Sequence, residues 1–404
     1  MTSTPTAPAP LLPAPHDGVC PFSPPPVYTE AAREATVTRA ELLDGTSCWL
    51  VTGYHEVRSV LSDRRFSADV RRPEFPSITP GRRAIIAANP NFLRLDDPEH
   101  ARLRRMVTGD FLVKRVEAMR PEIQRIVDEA LDRMTASGGP ADLVSGFALP
   151  VPSLVICLLL GVPYEERQMF QDLSRLLLST TAAEEEVRRA QTELIDYLGG
   201  LAAQKRRRPG DDILSRLAAR DDLSLQEIAA TGLLLLVAGH ETTANMISLS
   251  TLLLLRHPEQ AARLADPSAV PGAVEELLRH LTIVHMGLPR LAVEDVELGG
   301  VRIRAGDGVV AMLSTANRDG ELFGTPGQLP AGELDVDRDA RRHLAFGFGV
   351  HQCLGQPLAR AELQIALATL FRRLPGLRLA APESEPVFRS EAFVYGLEAL
   401  PVAW

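Results

Sequence analysis

The stretch from Phe346 to Gly355 constrains this chain most, because it places one cysteine at the end of a loop spaced by glycines. An apolar pattern of helical spacing follows from Leu358, so Cys353 is predicted to lie at a helix N-terminus. Free amide hydrogens and the positive end of the helix dipole would stabilise a thiolate there. The glycines would let the backbone approach a flat group closely. These are the requirements of a cysteine that serves as fifth ligand to a haem iron.

The spacing F-G-x-G-x-H-x-C-x-G resembles the haem-binding loop of the cytochrome P450 monooxygenases, and every fixed position is present. An isolated cysteine is more often a buried core residue, but the flanking positions favour the ligand. The resemblance extends over roughly residues 45–400. It implies a mainly α fold with a smaller β part, in which a long central helix lies over haem b (iron protoporphyrin IX). The loop residues that it assigns to the cofactor are Phe346, Gly347, His351, Cys353 as the metal ligand, and Gly355.

Composition narrows the function classes. An apolar fraction of 45% is ample for a large core, and a net charge of −9 argues against a general nucleic-acid-binding surface. The cysteines are scattered and form no CxxC pair, which argues against a disulfide framework or a zinc site. They are Cys20, Cys48, Cys157 and Cys353.

The ends of the chain and its hydropathy predict a protein without a membrane anchor. No charged segment followed by an apolar one marks a leader, and no uncharged apolar run reaches about 18 residues. We therefore expect a cytoplasmic, soluble monomer. Residues 1–26, rich in Pro and Ala, are predicted to be a flexible tail, and residues 27–404 a single domain.

Periodicity predicts mostly helices, with a strand at 47–52, a long irregular loop at 69–93 and a β-hairpin at 293–303. Ser224 and Glu227 have capping-box spacing and open a helix over 225–256 that is apolar on nearly every face. The other predicted helices are 55–63, one opening at Asp97-Pro98, 116–136, 151–161, 164–179, 184–205, 258–265 and 271–281.

A second motif, Ala238-Gly239-His240-Glu241-Thr242, lies inside the apolar helix, where glycine and an acid are poor choices. Small Ala238 and Gly239 would leave a groove for dioxygen, and Thr242 could open the helix locally. The resemblance identifies Thr242 and Glu241 as the catalytic acid–alcohol pair. Thr242 would donate a hydrogen bond to bound dioxygen, while Glu241 would relay protons from solvent. The alternative is a structural kink with a solvated glutamate.

The pair Glu276 and Arg279 stands one helical turn apart, a spacing that usually means a weak surface ion pair. The resemblance instead assigns Glu276, Arg279 and the downstream Arg338 to a buried structural cluster that braces the haem loop. The cations that the resemblance assigns to the two haem propionates are His100, Arg104, Arg290 and His351. Seen singly, each of these would more often be an ordinary polar residue.

The resemblance implies a monooxygenase that inserts one atom of O2 into a bulky apolar small molecule, such as a macrolide, terpenoid or sterol-like secondary metabolite. Electrons would come from a separate ferredoxin and ferredoxin reductase, since the chain is too short to carry a fused reductase. The ferredoxin is expected near Arg102, Arg105 and Arg360. The predicted substrate-binding residues are Leu234, Val237, Ala238, Met286 and Phe393. For His285, a position in the pocket and a purely structural role are equally compatible with the sequence.

Two other functions fit the same motifs. One is a peroxygenase or rearranging enzyme of the same fold, which needs no external electrons; intact Glu241 and Thr242 argue against it. The other is a non-catalytic haem-thiolate sensor.

Overall fold

The computed structural model of the chain describes residues 9–16, 20–79, 82–136, 138–324, 329–380 and 386–404. Within them the fold is mainly α with a smaller β part, as predicted. The helices are α1 (Pro26–Glu34), α2 (Tyr54–Ser62), α3 (Arg83–Ala88), α4 (Glu99–Thr108), α5 (Val113–Thr135), α6 (Pro150–Leu160), α7 (Arg167–Leu178), α8 (Glu184–Arg207), α9 (Ile213–Ala218), α10 (Leu225–Arg256), α11 (Pro258–Ala261), α12 (Val270–Leu281), α13 (Leu313–Ala316), α14 (Gly320–Phe323) and α15 (Gln356–Arg373).

The strands are short and form three sheets. They are β1 (Leu11–Leu12), β2 (Val37–Leu42), β3 (Ser47–Val51), β4 (Phe66–Ser67), β5 (Ala141–Asp142), β6 (Leu288–Ala292), β7 (Val296–Leu298), β8 (Val301–Ile303), β9 (Gly308–Ala311), β10 (Arg378–Leu379) and β11 (Pro401–Ala403). The largest sheet has the order β1-β2-β3-β9-β6-β4, the second the order β10-β11-β5, and β7 pairs with β8 in the predicted hairpin.

Helix α10 is the axis of the helical part, because it packs against α6, α8, α9 and α15. The Ser224 hydroxyl accepts from the Glu227 amide at 3.1 Å and the Glu227 carboxylate accepts from the Ser224 amide at 2.9 Å, so the predicted capping box forms. The helix is continuous to Arg256, and Thr242 does not interrupt it. No helix in the described ranges is long and apolar enough to cross a bilayer.

Two stretches differ from the sequence-based expectation. In the predicted tail, Leu12 pairs with β2, and both Leu12 and Phe22 are buried. These isolated apolar residues anchor a segment whose composition is otherwise that of a linker. Within the predicted irregular loop, residues 83–88 form α3. The assignment of residues 27–404 to a single domain stays a prediction.

Candidate active site

The cysteine loop is held by turns and close backbone contacts. Gly347 and Gly349 have φ of +69° and +72°, which residues with a side chain rarely adopt. A Cβ at Gly349 would also lie 2.3 Å from the carbonyl oxygen of Leu61. The Cys353 amide donates to the Phe346 carbonyl at 2.8 Å and closes the loop just before α15. The loop therefore presents Cys353 in one fixed direction.

The Cys353 side chain has open surface, yet surrounding protein atoms desolvate its thiol, so we infer that this surface faces a cavity. Burial raises the pKa of its thiol, although the Gly355 amide, Arg104, Arg360 and the Gln356 amide oppose the rise. The amides at the start of α15 do point at the sulfur, as expected, but desolvation outweighs them. A bound metal ion would ionise such a thiol outright, because it supplies the missing positive charge.

A second open surface lies on α10, where Gly239 is partly exposed together with the residues named next, while the other central residues are buried. Ala238 is exposed in the middle of this helix, and Leu234, Val237 and Thr242 are partly exposed. Their spacing places them on one helical face. The face is therefore turned towards a cavity, and three of the predicted substrate-binding residues lie on it.

Gly355 and Gly239 differ in what a side chain would meet. A Cβ on Gly355 would meet nothing within 4 Å, so the space beside Cys353 is free. A Cβ on Gly239 would lie 2.8 Å from the Ile156 side chain of α6. The missing side chain therefore allows α10 to pack closely on α6, and the role of Gly239 in a dioxygen groove stays a prediction.

The four predicted propionate cations come together in one polar region, where Asp97 is the carboxylate in contact, through His100. The His100 and His351 rings are 4.2 Å apart between centroids. His100 Nδ1 lies 2.9 Å from Asp97 Oδ1, while His100 Nε2 and His351 Nδ1 are buried without a hydrogen-bond partner among the described residues. Burial and then Arg290, His100 and Arg104 lower the pKa of His351 to about 3.

The arginines of this region are equally short of partners. Burial, then the charge of Arg94, lowers the pKa of Arg290 to about 10. Among the described residues, its guanidinium donates only to the neighbouring Pro289 carbonyl, at 2.8 Å. Burial also lowers the pKa of Arg104, which donates to the Gln352 carbonyl. In the described part of the chain, no carboxylate lies within ion-pair distance of either.

Sequence reasoning missed Arg94, which belongs to the same region. Burial lowers the pKa of Arg94, and its charge acts on Arg290. It lies in the loop before α4, and no motif or spacing signals it. Buried cations without counter-ions, buried imidazole nitrogens without partners and an open-faced cysteine are the donor set that a haem with two propionates requires. The residues present therefore fit haem b.

The acid and the alcohol of α10 have distinct settings. Glu241 is buried, and its Oε2 accepts from Arg389 Nη2 at 3.0 Å; the same nitrogen donates to Asn245 Oδ1 at 2.8 Å. The Thr242 hydroxyl donates to the Ala238 carbonyl at 2.7 Å. In this rotamer the hydroxyl hydrogen is already used, and the oxygen can only accept hydrogen bonds from a molecule in the cavity. The hydroxyl must therefore rotate before it can donate to a bound molecule.

Arg389 is a second residue that the sequence did not reveal, since it stands 148 positions after Glu241. Beside the acid, His240 Nδ1 lies 2.7 Å from the Leu236 carbonyl, and its buried Nε2 lies 3.8 Å from Glu241 Oε1 without a hydrogen bond. Nδ1 must therefore carry the proton, and Nε2 faces the acid as an unused acceptor. Burial lowers the pKa of His240, which keeps this ring neutral.

Glu276, Arg279 and Arg338 form one buried cluster. Arg279 Nε and Nη2 donate to the Glu276 carboxylate at 2.6 and 2.8 Å, and Arg338 Nε lies 3.3 Å from it. Arg279 Nη1 also donates to the carbonyls of Asn317 and Ala331, each at 2.7 Å. The cluster thus ties α12 to the chain that leads into the cysteine loop.

The remaining predicted residues are placed as follows. Met286 is buried in an apolar cluster with Leu12 and Val310, and Phe393 packs against this cluster. On the same segment Val284 has more open surface than Met286. His285 is structural, because it stacks on His16 and Tyr395 and lies 3.0 Å from the Leu281 carbonyl.

Two of the arginines expected to receive a ferredoxin are already engaged. Arg102 pairs with Glu227, and Arg360 donates to Glu275 at 2.6 and 3.0 Å. Arg105 is exposed and makes no ion pair with a described residue. A docking partner would therefore have to compete with Glu227 for Arg102 and with Glu275 for Arg360. Among the described residues, Arg105 has no such carboxylate partner.

Comparison with known proteins identifies close relatives. The family model described as Cytochrome P450 matches residues 167–266 and 269–389. The chain is 62% identical to cytochrome P450-SU2 of Streptomyces griseolus and 49% identical to pentalenic acid synthase of Streptomyces avermitilis, each over 100% of both chains. The crystal structure of the mycinamicin VIII C21 methyl hydroxylase MycCI from Micromonospora griseorubida has a TM-score of 0.91 at 41% identity, covering 98% of this chain and 100% of that chain. These likenesses confirm the predicted fold.

Proposed function

This chain belongs to the cytochrome P450 family and is a haem b monooxygenase, and from that premise we propose that it hydroxylates a bulky, mostly apolar small molecule. The observation that carries the proposal is the pairing of an open-faced Cys353 with the open face of α10 around Ala238. A hydroxylase needs both a ligand for the cofactor and an apolar, water-excluding surface against which the substrate lies.

We assign cofactor binding to residues of the cysteine loop and the cationic region. Cys353 would hold the metal, Gly355 leaves the space beside it free, and the propionates would meet the cationic region. The members of that region are His100, Arg104, Arg290 and His351, with Arg94 added. When bound, haem b supplies the activation of dioxygen and the transfer of one oxygen atom to the substrate.

Proton delivery is the task we assign to Glu241, with Thr242 as its partner. Arg389 donates to the Glu241 carboxylate at 3.0 Å, and Glu398 Oε1 lies 4.0 Å from Arg389 Nε. The Glu398 side chain is 48% exposed, so the chain of contacts leads from the acid to solvent. Release of Glu241 from Arg389 would let it carry a proton to the Thr242 hydroxyl.

The substrate pocket is the part of the cavity bounded by Leu234, Val237 and Ala238, with Met286 and Phe393 kept as weaker candidates. On this face of α10 the residues that precede Thr242, namely Leu234, Val237 and Ala238, are all apolar, which favours an apolar substrate. The relatives support this choice, since MycCI is a C21 methyl hydroxylase of mycinamicin VIII. A methyl group is an unactivated carbon of the kind that we propose for this chain's substrate.

Electrons are proposed to come from a separate ferredoxin and its reductase, and the enzyme to act as a cytoplasmic monomer. The exposed Arg105 on α4 is the best-supported docking residue, because Arg102 and Arg360 are ion-paired within the chain. Charge reversal of Arg105 should slow reduction by ferredoxin, most at low salt.

The test compares Thr242→Ala with Thr251→Ala in the haem-loaded enzyme. Thr251 makes the same hydroxyl-to-carbonyl bond one turn back, to Ile247 at 2.8 Å, but it is completely buried away from the cavity. First, apolar small molecules are screened for a substrate-induced spin shift. With a binding compound, Thr242→Ala should keep the haem but divert reducing equivalents into peroxide, whereas Thr251→Ala should couple normally.

Other outcomes favour the alternatives. Unchanged coupling in Thr242→Ala removes Thr242 from proton delivery. Turnover with peroxide but not with NADH and a ferredoxin system indicates a peroxygenase or rearranging enzyme. A haem-loaded protein that turns over no compound that it binds indicates a sensor.

A further inference from the structure

Glu275, the neighbour of the structural Glu276, anchors a separate group of residues. Its Oε1 accepts from Arg360 Nε at 2.6 Å, and its Oε2 accepts from Arg360 Nη2 at 3.0 Å. His343 Nε2 lies 3.1 Å from the same Oε2, and the Ala345 amide donates to His343 Nδ1 at 3.1 Å. Since Nδ1 accepts, Nε2 carries the proton and donates to Glu275. One carboxylate on α12 thus fixes both an arginine of α15 and a histidine that leads into the cysteine loop.

Arg360 reaches the cysteine loop from the other side. Its guanidinium lies 4.7 Å from the centroid of the Phe346 ring, and its Nη1 donates to Gln356 Oε1 at 2.9 Å. Phe346 is the residue whose carbonyl accepts from the Cys353 amide, and Gln356 opens α15 just after Cys353. The positive charge of Arg360 is therefore held against both ends of the segment that carries the sulfur.

We propose that Arg360, locked in place by Glu275, is a positioning residue whose charge sets the reduction potential of the haem bound at Cys353. The inference rests on the proposed ligation by Cys353. A fixed positive charge near the thiolate stabilises the more electron-rich, reduced state of the site, and a negative charge destabilises it. Arg360, and not its partner Glu275, makes the contacts with Phe346 and Gln356, so we expect the charge of the arginine to dominate at the sulfur.

This role replaces the docking role expected for Arg360. Its side chain is 27% exposed, and Glu275, Gln356 and the Phe346 ring already occupy its donors and its face. A docking residue alters how fast a protein partner delivers electrons. An internal charge alters the equilibrium potential whatever the electron source, so the two roles are separable by experiment.

The experiment measures equilibrium reduction potentials of the haem-loaded enzyme with a chemical reductant and mediators. Arg360→Gln should shift the potential to more negative values, and Glu275→Gln should shift it to more positive values. Arg360→Lys, which keeps the charge, should lie between Arg360→Gln and the unmodified enzyme. Arg373→Gln is the matched control: it removes the same charge from the same helix, about 20 Å further along, and should leave the potential unchanged.

Opposite signs for Arg360→Gln and Glu275→Gln support the proposal. Shifts of the same sign indicate a loosened loop and overturn it, as do unchanged potentials. If Arg360→Gln loses haem, the signs for Arg360→Lys and Glu275→Gln decide in the same way. The reduced carbon monoxide complex of the unmodified enzyme tests ligation by Cys353 separately from the role of Arg360. Absence of the red-displaced Soret band refutes ligation by Cys353 itself. A normal band with unchanged reduction potentials in the variants refutes only the role of Arg360.

Discussion

Two buried charged clusters of this chain differ in how completely their polar atoms are paired. In the cluster of Glu276, Arg279 and Arg338, no described side-chain nitrogen or oxygen is buried without a partner. In the cluster around Glu241, three are: Nε of Arg389, Nδ2 of Asn245 and Nε2 of His240. A fully paired buried network rigidifies its surroundings, while unpaired polar atoms are tolerated mainly where a group must move or react.

The difference matches what each cluster is placed to do. The paired cluster ties α12 to the chain before the cysteine loop, where any movement would misplace the sulfur. The underpaired cluster surrounds an acid on α10 that we propose delivers protons. The contrast predicts that changes in the paired cluster act on folding, and that changes in the underpaired cluster act on coupling with little effect on folding.

Glu276→Ala should have the largest effect on stability. It leaves two buried arginines without their carboxylate, and breaking such a cluster destabilises by about 3–5 kcal/mol. We expect little haem-loaded protein and a strongly lowered midpoint in denaturant unfolding. Arg263→Ala serves as control, because Arg263 pairs with Asp337 on the surface at 2.8 Å, where the loss should stay below about 1 kcal/mol. Equal effects of the two substitutions would contradict the contrast.

Glu275→Gln should come next, with an effect that depends on pH. Burial raises the pKa of Glu275, but His343 and Arg360 outweigh it and lower the pKa from 4.5 to about 2. A depressed pKa stabilises the folded state above pH 4.5, and this stability is lost as the pH falls towards 2. The shift corresponds to about 3 kcal/mol. Urea unfolding of Glu275→Gln and the unmodified enzyme should therefore differ most at neutral pH and converge in acid; a constant difference would refute the ionic origin.

Gly239→Ala tests the role of Gly239 in the packing of α10 on α6. The added methyl would lie 2.8 Å from Ile156, and overpacking of this kind destabilises by about 1–3 kcal/mol. In an Ile156→Ala background the same substitution should bring a smaller loss, since the two Ile156 atoms at 2.8 Å are then gone and only the Cβ at 3.3 Å remains. A loss of the same size in both backgrounds would show that the contact with Ile156 is not the cause.

Sequence was most informative where the determining contacts are local. The bounds of α10 follow from its capping box and apolar pattern, and the turns of the cysteine loop follow from glycines at positive φ. Contacts between distant segments left no such signal. Arg389 meets Glu241 from 148 positions away, and nothing in the pattern distinguishes Arg94 from the many other arginines. The contact that a side chain at position 239 would make could not be predicted either, because it depends on which neighbour α10 packs against.

The smallest effect on stability, and the sharpest test of the contrast, is expected for Arg389→Lys. Lysine keeps the positive charge beside Glu241, but it lacks the rigid guanidinium that places Nη2 between Glu241 and Asn245. Loss of one hydrogen bond lowers stability by about 1 kcal/mol. The acid should nevertheless be held less firmly, so the fraction of reducing equivalents that reaches product should change and its pH dependence should shift. Glu398→Gln is the companion variant, since Glu398 lies 4.0 Å from Arg389 at the solvent end. If both variants couple like the unmodified enzyme, the unpaired atoms around Glu241 do not serve proton delivery, and the contrast between the two clusters has no functional meaning.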